Sequence, residues 1–423
     1  MPAMSLLRAN AGFLALWFLL LIVCWFNSYD DPSSIFYDEE RGFQLRYSRQ
    51  RALEADAFLR NIPPKLLPDQ QQFLCIGVPS INRTTQSFLP HTLATLTDTL
   101  TARERSSIHL VVLLADRPSD HHSAYGQEWL ENTADEVLLY CNPPAADSNN
   151  SIYRTVPFDL VPDRPRGEGR IENIRLDHSI LVETCRDHGA DYFVLVEDDI
   201  IASRDWFARL KKGLAYVEAR TTKTKQEWIY LRLFFSELLL GWNSEEWLGY
   251  ATYIFIAYAV SLVLFLVARR YFRLGAIAGS GKSAQTYRYV TALAFGLWLP
   301  ALIALYFLAG RVSANRINPF AWNAHGVREM PNYGCCAQGL VFPRRQMDGI
   351  FQLMRFPPYD FPGDMILEGY AGDRGLKKWA LDPSVFQHVG FTESSEGPRR
   401  AEVWNFTFER MRSGGSWFRD WIT

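Results

Sequence analysis

Three carboxylates in a row, Glu197-Asp198-Asp199, close the apolar run Tyr192-Phe-Val-Leu-Val196. The run reads as a strand buried on both faces, and Trp206–Tyr216 after it reads as a helix. Gathering so much negative charge where a strand ends is costly unless something positive binds there. In a mostly parallel sheet, ligands sit outside the carboxyl ends of the strands. The chemistry that fits is a divalent cation gripping a diphosphate. The plainer reading is a solvated acidic turn, with Asp199 capping the next helix.

The elements that must position this cluster are legible on either side of it. Phe73–Pro79 reads as a first buried strand, Ile108–Leu114 as a second that ends at Asp116, and Val137–Tyr140 as a third. Thr92–Leu100 reads as a helix. The Pro-, Asn-, Asp- and Gly-rich stretch from Asn142 to Gly169 reads as a long loop. Ile174–His188 is amphipathic and stops at Gly189, and the acidic strand follows directly. Trp228–Phe234 and Gly339–Pro343 resume strand character. Strands alternating with helices imply a mainly parallel α/β sheet, and no internal repeat is visible.

Hydrophobic residues make up 48% of the chain and the formal net charge is -2, so no basic field points to nucleic acid. Ala11–Phe26 reads as an uncleaved membrane anchor, because no small-residue cleavage site follows before Asp30 and Asp31. Trp247–Val267 and Tyr289–Gly310 are each long enough to span a bilayer, and Pro300 inside the second is tolerable in a membrane helix. The connection between them carries Arg269, Arg270, Arg273, Lys282 and Arg288 with no acid, so it faces the cytosol. The resulting expectation is a cytosolic tail (1–10), an anchor (11–26), a lumenal first part (27–246), a span (247–267), a cytosolic loop (268–288), a span (289–310) and a lumenal second part (311–423). One soluble α/β domain would then be interrupted by a membrane hairpin inserted at a loop.

Sequons at Asn82, Asn149 and Asn405 all fall in the expected lumenal parts. So do Cys75, Cys141, Cys185, Cys335 and Cys336, an odd number, so at least one thiol stays free or pairs between chains. Their pairing is open, and no CxxC spacing suggests zinc. Gly279-Ser-Gly-Lys282-Ser283 imitates the end of a phosphate-binding loop. Ala276 stands where that motif needs glycine, and a membrane span replaces the strand that should precede it, so a cytosolic turn is the reading.

Gly77-Val-Pro-Ser80, Asp191–Ile200, Trp228–Leu233, Pro362-Gly-Asp364-Met-Ile-Leu367 and Pro383-Ser-Val-Phe-Gln-His388-Val-Gly390 together carry a resemblance. In that order the chain resembles the glycosyltransferases that modify GPI anchors after attachment to protein, the post-GPI-attachment N-acetylgalactosamine transferase family. It is more distantly similar to the N-acetylglucosaminyltransferase IV family, from which the inserted hairpin separates it.

The resemblance implies a GT-A type, Rossmann-like nucleotide-sugar domain, interrupted by the transmembrane hairpin and preceded by the N-terminal anchor. Carried over, Asp199 is the direct ligand of a divalent metal, usually manganese, while Glu197 and Asp198 contact ribose or order the site. His388 matches the family's C-terminal metal-binding histidine, although a lone histidine is commonly structural. Carboxylates with an imidazole suit manganese on their own chemistry. Asp364 stands where an inverting member would place its base, with Glu368 one turn later in reserve. A helix N-cap is the plain role for Asp364, and it is compatible with the other. For the uridine, Val78, Pro79 and Asp116 lie at strand ends and Asn173 and Asp177 on the preceding helix. Each also suits a turn or a cap. Cys336, Ala337, Gln338 and Gly339 precede a strand expected to pass beneath the sugar. Trp322, Tyr333, Phe361 and Tyr370 are candidates to stack on acceptor sugars.

The expected function is a multi-pass Golgi enzyme with its catalytic domain in the lumen. It would move N-acetylgalactosamine, with inversion, from its UDP donor to a mannose of the GPI glycan on GPI-anchored proteins, and an acceptor lying at the membrane surface is a reason to hold the domain there. Rival readings are an N-glycan branching N-acetylglucosaminyltransferase and a non-catalytic, transferase-like membrane scaffold. A transporter is disfavoured, because the spans carry no ionisable residue at mid-depth.

Overall fold

The computed structural model describes residues 2–42, 44–63, 72–83, 86–141, 152–158, 168–273, 288–317, 326–330, 337–390, 393–394 and 397–398. The loop at Gly279–Ser283, the sequons at Asn149 and Asn405, and Trp322, Tyr333, Cys335 and Cys336 lie outside them. The chain divides into two compact units, residues 1–44 with 237–321, and residues 45–236 with 322–423.

The first unit holds three helices long and apolar enough to cross a membrane, Leu7–Asn27, Ser244–Ala268 and Arg288–Leu308. Their side chains have almost nothing buried around them, as expected of surfaces that face lipid. The first helix packs on the third, where Trp17 Nε1 donates to the Ala301 carbonyl at 3.0 Å. A short π-helical turn, Ala294–Trp298, precedes Pro300. That widening accommodates a residue with no N–H to give.

The second unit is built on a nine-stranded sheet in the order β4-β3-β2-β1-β5-β9-β7-β10-β8. The strands are β1 (Leu74–Ser80), β2 (Ile108–Leu114), β3 (Glu136–Tyr140), β4 (Tyr153–Val156), β5 (Tyr192–Leu195), β7 (Trp228–Arg232), β8 (Val327–Glu329), β9 (Leu340–Pro343) and β10 (Lys377–Leu381). β6 (Ile200–Ala202) and β11 (Phe386–His388) form a separate antiparallel pair. Every residue of β2 and of β7 is buried, which is why their sequences are near-continuous apolar runs.

One sequence expectation needs correction here. The stretch read as one loop contains β4, an edge strand whose residues 153–155 are only half-buried, so it shows no apolar run. The same stretch ends in the first turn of a helix, Glu168–Asp187. The sheet is mainly parallel, as expected, and mixed at two strands. β9 runs antiparallel between β5 and β7, and β8 antiparallel to β10. The interruption of the domain allows this, since β9 enters after the long apolar helices rather than through a helical crossover.

Helices cover both faces. The Glu168–Asp187 helix is tied to β1 by a Cys75–Cys185 disulfide that closes a 110-residue separation, resolving two of the five cysteines whose pairing the sequence left open. The Arg344–Arg355 helix buries Met347, Ile350 and Met354, a helical spacing. The Gly363–Arg374 helix stops at Gly375, whose φ of 63° is a left-handed C-cap. A buttress secures the β6–β11 pair. Buried Arg51, on the Arg46–Leu59 helix, clamps Asp98 with two hydrogen bonds of 2.8 Å and donates to the Ala202 carbonyl at 3.0 Å.

Candidate active site

β5 ends at Leu195, and Glu197, Asp198 and Asp199 occupy the turn that leads into β6. The buried Thr92 hydroxyl fixes this turn, standing 2.7 Å from the Asp198 carbonyl and accepting the Ile200 N–H at 3.2 Å. Asp199 therefore does not cap the following helix, whose N-cap position is Asp205. The distant C-terminal segment arrives through β11, where His388 pairs in register with Ile200. Val389 N–H donates to the Asp199 carbonyl at 2.9 Å, and His388 Nε2 lies 3.1 Å from Asp199 Oδ2. Gly390 is required at its position, since a Cβ there would collide with the Asp199 carboxylate.

Glu197, Asp199 and His388 each offer a ligand atom, and these atoms lie within 4.8 Å of one another. Asp199 Oδ1 is buried and meets no hydrogen-bond donor among the described residues. A buried carboxylate oxygen left without a partner is expensive, and a cation is what would satisfy it. Two carboxylates and an imidazole are a donor set that suits manganese or a similar divalent ion, so the residues fit the group.

The cluster already holds one fixed cation. Arg83, just past β1, donates through Nη2 to Asp198 Oδ1 at 2.6 Å and to Asp199 Oδ2 at 2.9 Å. Ser80, the last residue of β1, donates to Asp198 Oδ2 at 2.6 Å. Behind it stands His122, whose Nδ1 accepts the Ala124 N–H at 3.1 Å, leaving the proton of the neutral ring on Nε2. That Nε2 lies 3.3 Å from Ser80 Oγ and 3.8 Å from Asp116 Oδ2. A continuous polar row thus runs from Asp116 through His122, Ser80, Asp198, Arg83 and Asp199 to His388.

Charge is unevenly settled along this row. Burial, then the neighbouring Asp199, pushes the Glu197 carboxyl up to about 8. Burial and Asp199 also raise Asp198. Asp199 itself is lowered, because His388 and Arg83 outweigh the effect of burial. His388 is raised, since the Asp199 carboxylate overcomes burial. Without an added cation, then, Asp199 and His388 form an ion pair while Glu197 keeps its proton at neutral pH.

The remaining predicted residues divide. Val78 is fully buried in the main core, so only its backbone reaches the strand end, with Pro79 next to it. Asp116 accepts the Asn82 N–H at 3.0 Å. Asp177 is buried and binds both Arg117 and the Tyr140 hydroxyl, and burial pushes it up to about 6. Asn173 Oδ1 and Gln338 Oε1 are buried without a partner among the described residues, which leaves both amides with bonding capacity. Gly339 lies where a Cβ would stand 2.6 Å from the Phe386 ring. Asp364 is the second residue of its helix rather than its N-cap, which is Pro362, and accepts the Met365 N–H at 2.9 Å. Its charge is close enough to raise Glu197 further. Glu368 is engaged elsewhere. It accepts from the Tyr230 hydroxyl, from buried Arg232 at 2.9 Å and from Lys378 at 2.6 Å. Phe361 and Tyr370 line a surface groove with Met365 and Asp373.

Sequence reasoning missed Arg83, Ser80 and His122. Arg83 was visible only as the middle of a sequon, and nothing in spacing could aim it at Asp198.

The family described as GPI-N-acetylgalactosamine transferase PGAP4 matches residues 74–387, well over half of the chain. Among curated proteins, mouse alpha-1,3-mannosyl-glycoprotein 4-beta-N-acetylglucosaminyltransferase C is 27% identical over 158 residues, 35% of this chain and 31% of that protein. The bovine form A is 23% identical over 230 residues, 50% of this chain and 41% of that protein. The chain spans about a third of the length of the first of these relatives, and those similarities are weak. It belongs to the GPI-N-acetylgalactosamine transferase PGAP4 family.

Proposed function

We propose that the protein transfers N-acetylgalactosamine from a UDP donor to a mannose of the GPI glycan on anchored proteins, in the Golgi lumen. The observation that carries this reading is the convergence of Glu197, Asp199 and His388 around the unpartnered Asp199 Oδ1, in a chain of this family. The sheet with its acidic strand end supports a GT-A type domain, built from residues 27–246 and 311–423. The apolar helices support an anchor and a hairpin at 247–267 and 289–310.

Asp199 and His388, with Glu197, would hold manganese or a related divalent ion. When bound, that ion supplies charge neutralisation for the departing diphosphate. Arg83 supplies a fixed positive group beside the same carboxylates, and Ser80 holds Asp198 still so that the cluster need not reorganise. Asn173, Gln338 and the backbone at Val78, Pro79 and Gly339 bind the donor, with Asp116 and Asp177 ordering the strand ends near it. Asp364, half-buried in the first turn of its helix, accepts the proton of the attacking acceptor hydroxyl. Phe361 and Tyr370 offer faces for acceptor sugars.

The hairpin is continuous with the transferase chain on both sides, so tethering raises the effective concentration of a lipid-anchored acceptor. Replacing it by a soluble linker should impair transfer to anchored substrate far more than to a free glycan mimic. A donor screen with GPI-glycan acceptors, reading product mass and linkage, tests the reading directly. Transfer of N-acetylglucosamine to N-glycans instead would favour the branching-transferase chemistry of the curated relatives. Absence of any donor turnover, with or without manganese, would favour a scaffold.

A further inference from the structure

At the opposite edge of the sheet, His109, Glu136 and His188 form a second cluster that the transfer chemistry does not use. His109 is the second residue of β2 and Glu136 the first of β3, while His188 follows the Glu168–Asp187 helix. All three therefore sit at the N-terminal ends of the parallel strands. β2 is seven residues long, so this edge is about 20 Å from the catalytic one.

Both imidazoles aim at one oxygen. His188 Nε2 lies 2.8 Å and His109 Nε2 3.3 Å from Glu136 Oε2, and the two rings overlap with centroids 4.0 Å apart. The three ligand atoms fall within 4.8 Å of one another. Bonds of ~2.0–2.1 Å to a tetrahedral zinc ion give ligand–ligand edges of ~3.3 Å, so little movement separates this arrangement from a coordination shell. The other carboxylate oxygen is already oriented, with Arg154 Nε 2.6 Å from Oε1 and Arg154 Nη2 donating to Thr184 Oγ1 at 2.8 Å. Metal-ligating carboxylates are commonly held in this way. The scaffold is firm, because His109 stands in register with Cys75 and the Cys75–Cys185 disulfide fastens the helix that ends at His188. His109 is 7% exposed, and its Nδ1 is buried without a partner among the described residues, so the fold alone does not exhaust its bonding.

We propose that His109, Glu136 and His188 bind a divalent transition-metal ion of the zinc class, leaving one position for water, and that this ion fastens the helix to the sheet rather than taking part in transfer. The proposal does not depend on which sugar is transferred. Its test uses the full-length chain in detergent, carrying Asp199→Ala to disable the catalytic ion site, stripped with chelator and titrated with Zn2+ alone. The expected result is one zinc per chain and a raised unfolding temperature. Adding His188→Ala should weaken binding by at least the ~10–100-fold that loss of an outer partner costs, and abolish the shift. If that variant fails to fold, Co2+ in the Asp199→Ala chain gives an independent reading. Visible bands of a four-coordinate cobalt site support the proposal. Zinc binding that is absent, or is unchanged by His188→Ala, or cobalt bands only of octahedral type, would overturn it.

Discussion

The two edges of the sheet use the same kinds of side chain in opposite proportions. At the C-terminal edge three carboxylates, Glu197, Asp198 and Asp199, share one imidazole and one guanidinium. Burial and mutual repulsion drive Glu197 up to about 8, so the site lacks positive charge. At the N-terminal edge a single carboxylate, Glu136, faces two imidazoles and a guanidinium. Burial would raise Glu136, but hydrogen bonds from His109 and His188 outweigh it and bring it below its ordinary range. In the proposed reading a cation and its diphosphate would complete the first cluster, whereas the second is nearly balanced within the fold. Surplus charge, rather than the presence of ligating residues, is what would distinguish the proposed transfer site from the proposed fastening one.

The comparison breaks most visibly by deleting one imidazole at each edge. His388→Ala and Asp199→Ala should each lower transfer at least ~1,000-fold, because several kcal/mol of charge stabilisation would go with the ion they are proposed to hold. His188→Ala should leave kcat close to that of the parent while lowering the unfolding temperature. Steady-state kinetics and thermal unfolding on the same three proteins decide it. Equal loss of transfer at both edges would mean that the division of labour is wrong.

A second contrast separates two acids one helical turn apart. Asp364→Asn should cost ~100- to 10,000-fold in kcat with little change in donor KM, the signature of a lost proton acceptor. Glu368→Gln should act on stability instead. It leaves buried Arg232 without its carboxylate, a change worth ~3–5 kcal/mol. Denaturant unfolding beside single-turnover kinetics would expose the reverse assignment.

What the sequence disclosed follows the same division. Fully buried strands such as β2 and β7 announce themselves, and so do spans, because an element apolar all round needs no partner to be recognised. β4 was hidden because an edge strand buries one face weakly. The antiparallel entry of β9 depends on chain routing after residue 321, about which local pattern says nothing. Asp199 and His388, 189 positions apart, were linked through resemblance, and the β6–β11 ladder supplies the physical cause. Arg83 and His122 stayed invisible because an isolated basic residue has no spacing to read.

Acidity sharpens the comparison further. Glu197 has a folded value of about 8 against an ordinary 4.5, so its protonated form is favoured by folding. Its contribution to the metal-free protein is fully present below pH 4.5 and is lost as pH rises through 8. An ion needs the deprotonated form, so ion affinity should move the opposite way, weakening ~10-fold for each pH unit below 8 if one proton is released. Between pH 7.5 and 5.5 that amounts to ~100-fold at the catalytic edge. Manganese titrations followed by calorimetry at several pH values would show the slope, and Glu197→Gln should reduce it by one proton, leaving the proton that His388 must release to ligate. A flat profile in the parent protein would mean that Glu197 is not a ligand.

The smallest expected effect concerns the cation already in place. Arg83 contributes a positive charge 2.6 Å from Asp198 and 2.9 Å from Asp199, where it competes electrostatically with any second cation. Two unit charges 4 Å apart near a protein surface feel ~4 kcal/mol, and Asp198 and Asp199 offset the guanidinium charge, so the net penalty on the ion should be nearer ~1–1.5 kcal/mol. Arg83→Met should therefore tighten manganese ~10-fold. The same change removes a positive group from the diphosphate side, so donor KM should rise while the ion is bound more firmly. Opposite movements of these two constants mark Arg83 as a partner of the donor. If manganese and donor both weaken, Arg83 instead holds the carboxylates in shape, and the charge deficit at this edge is smaller than the geometry implies.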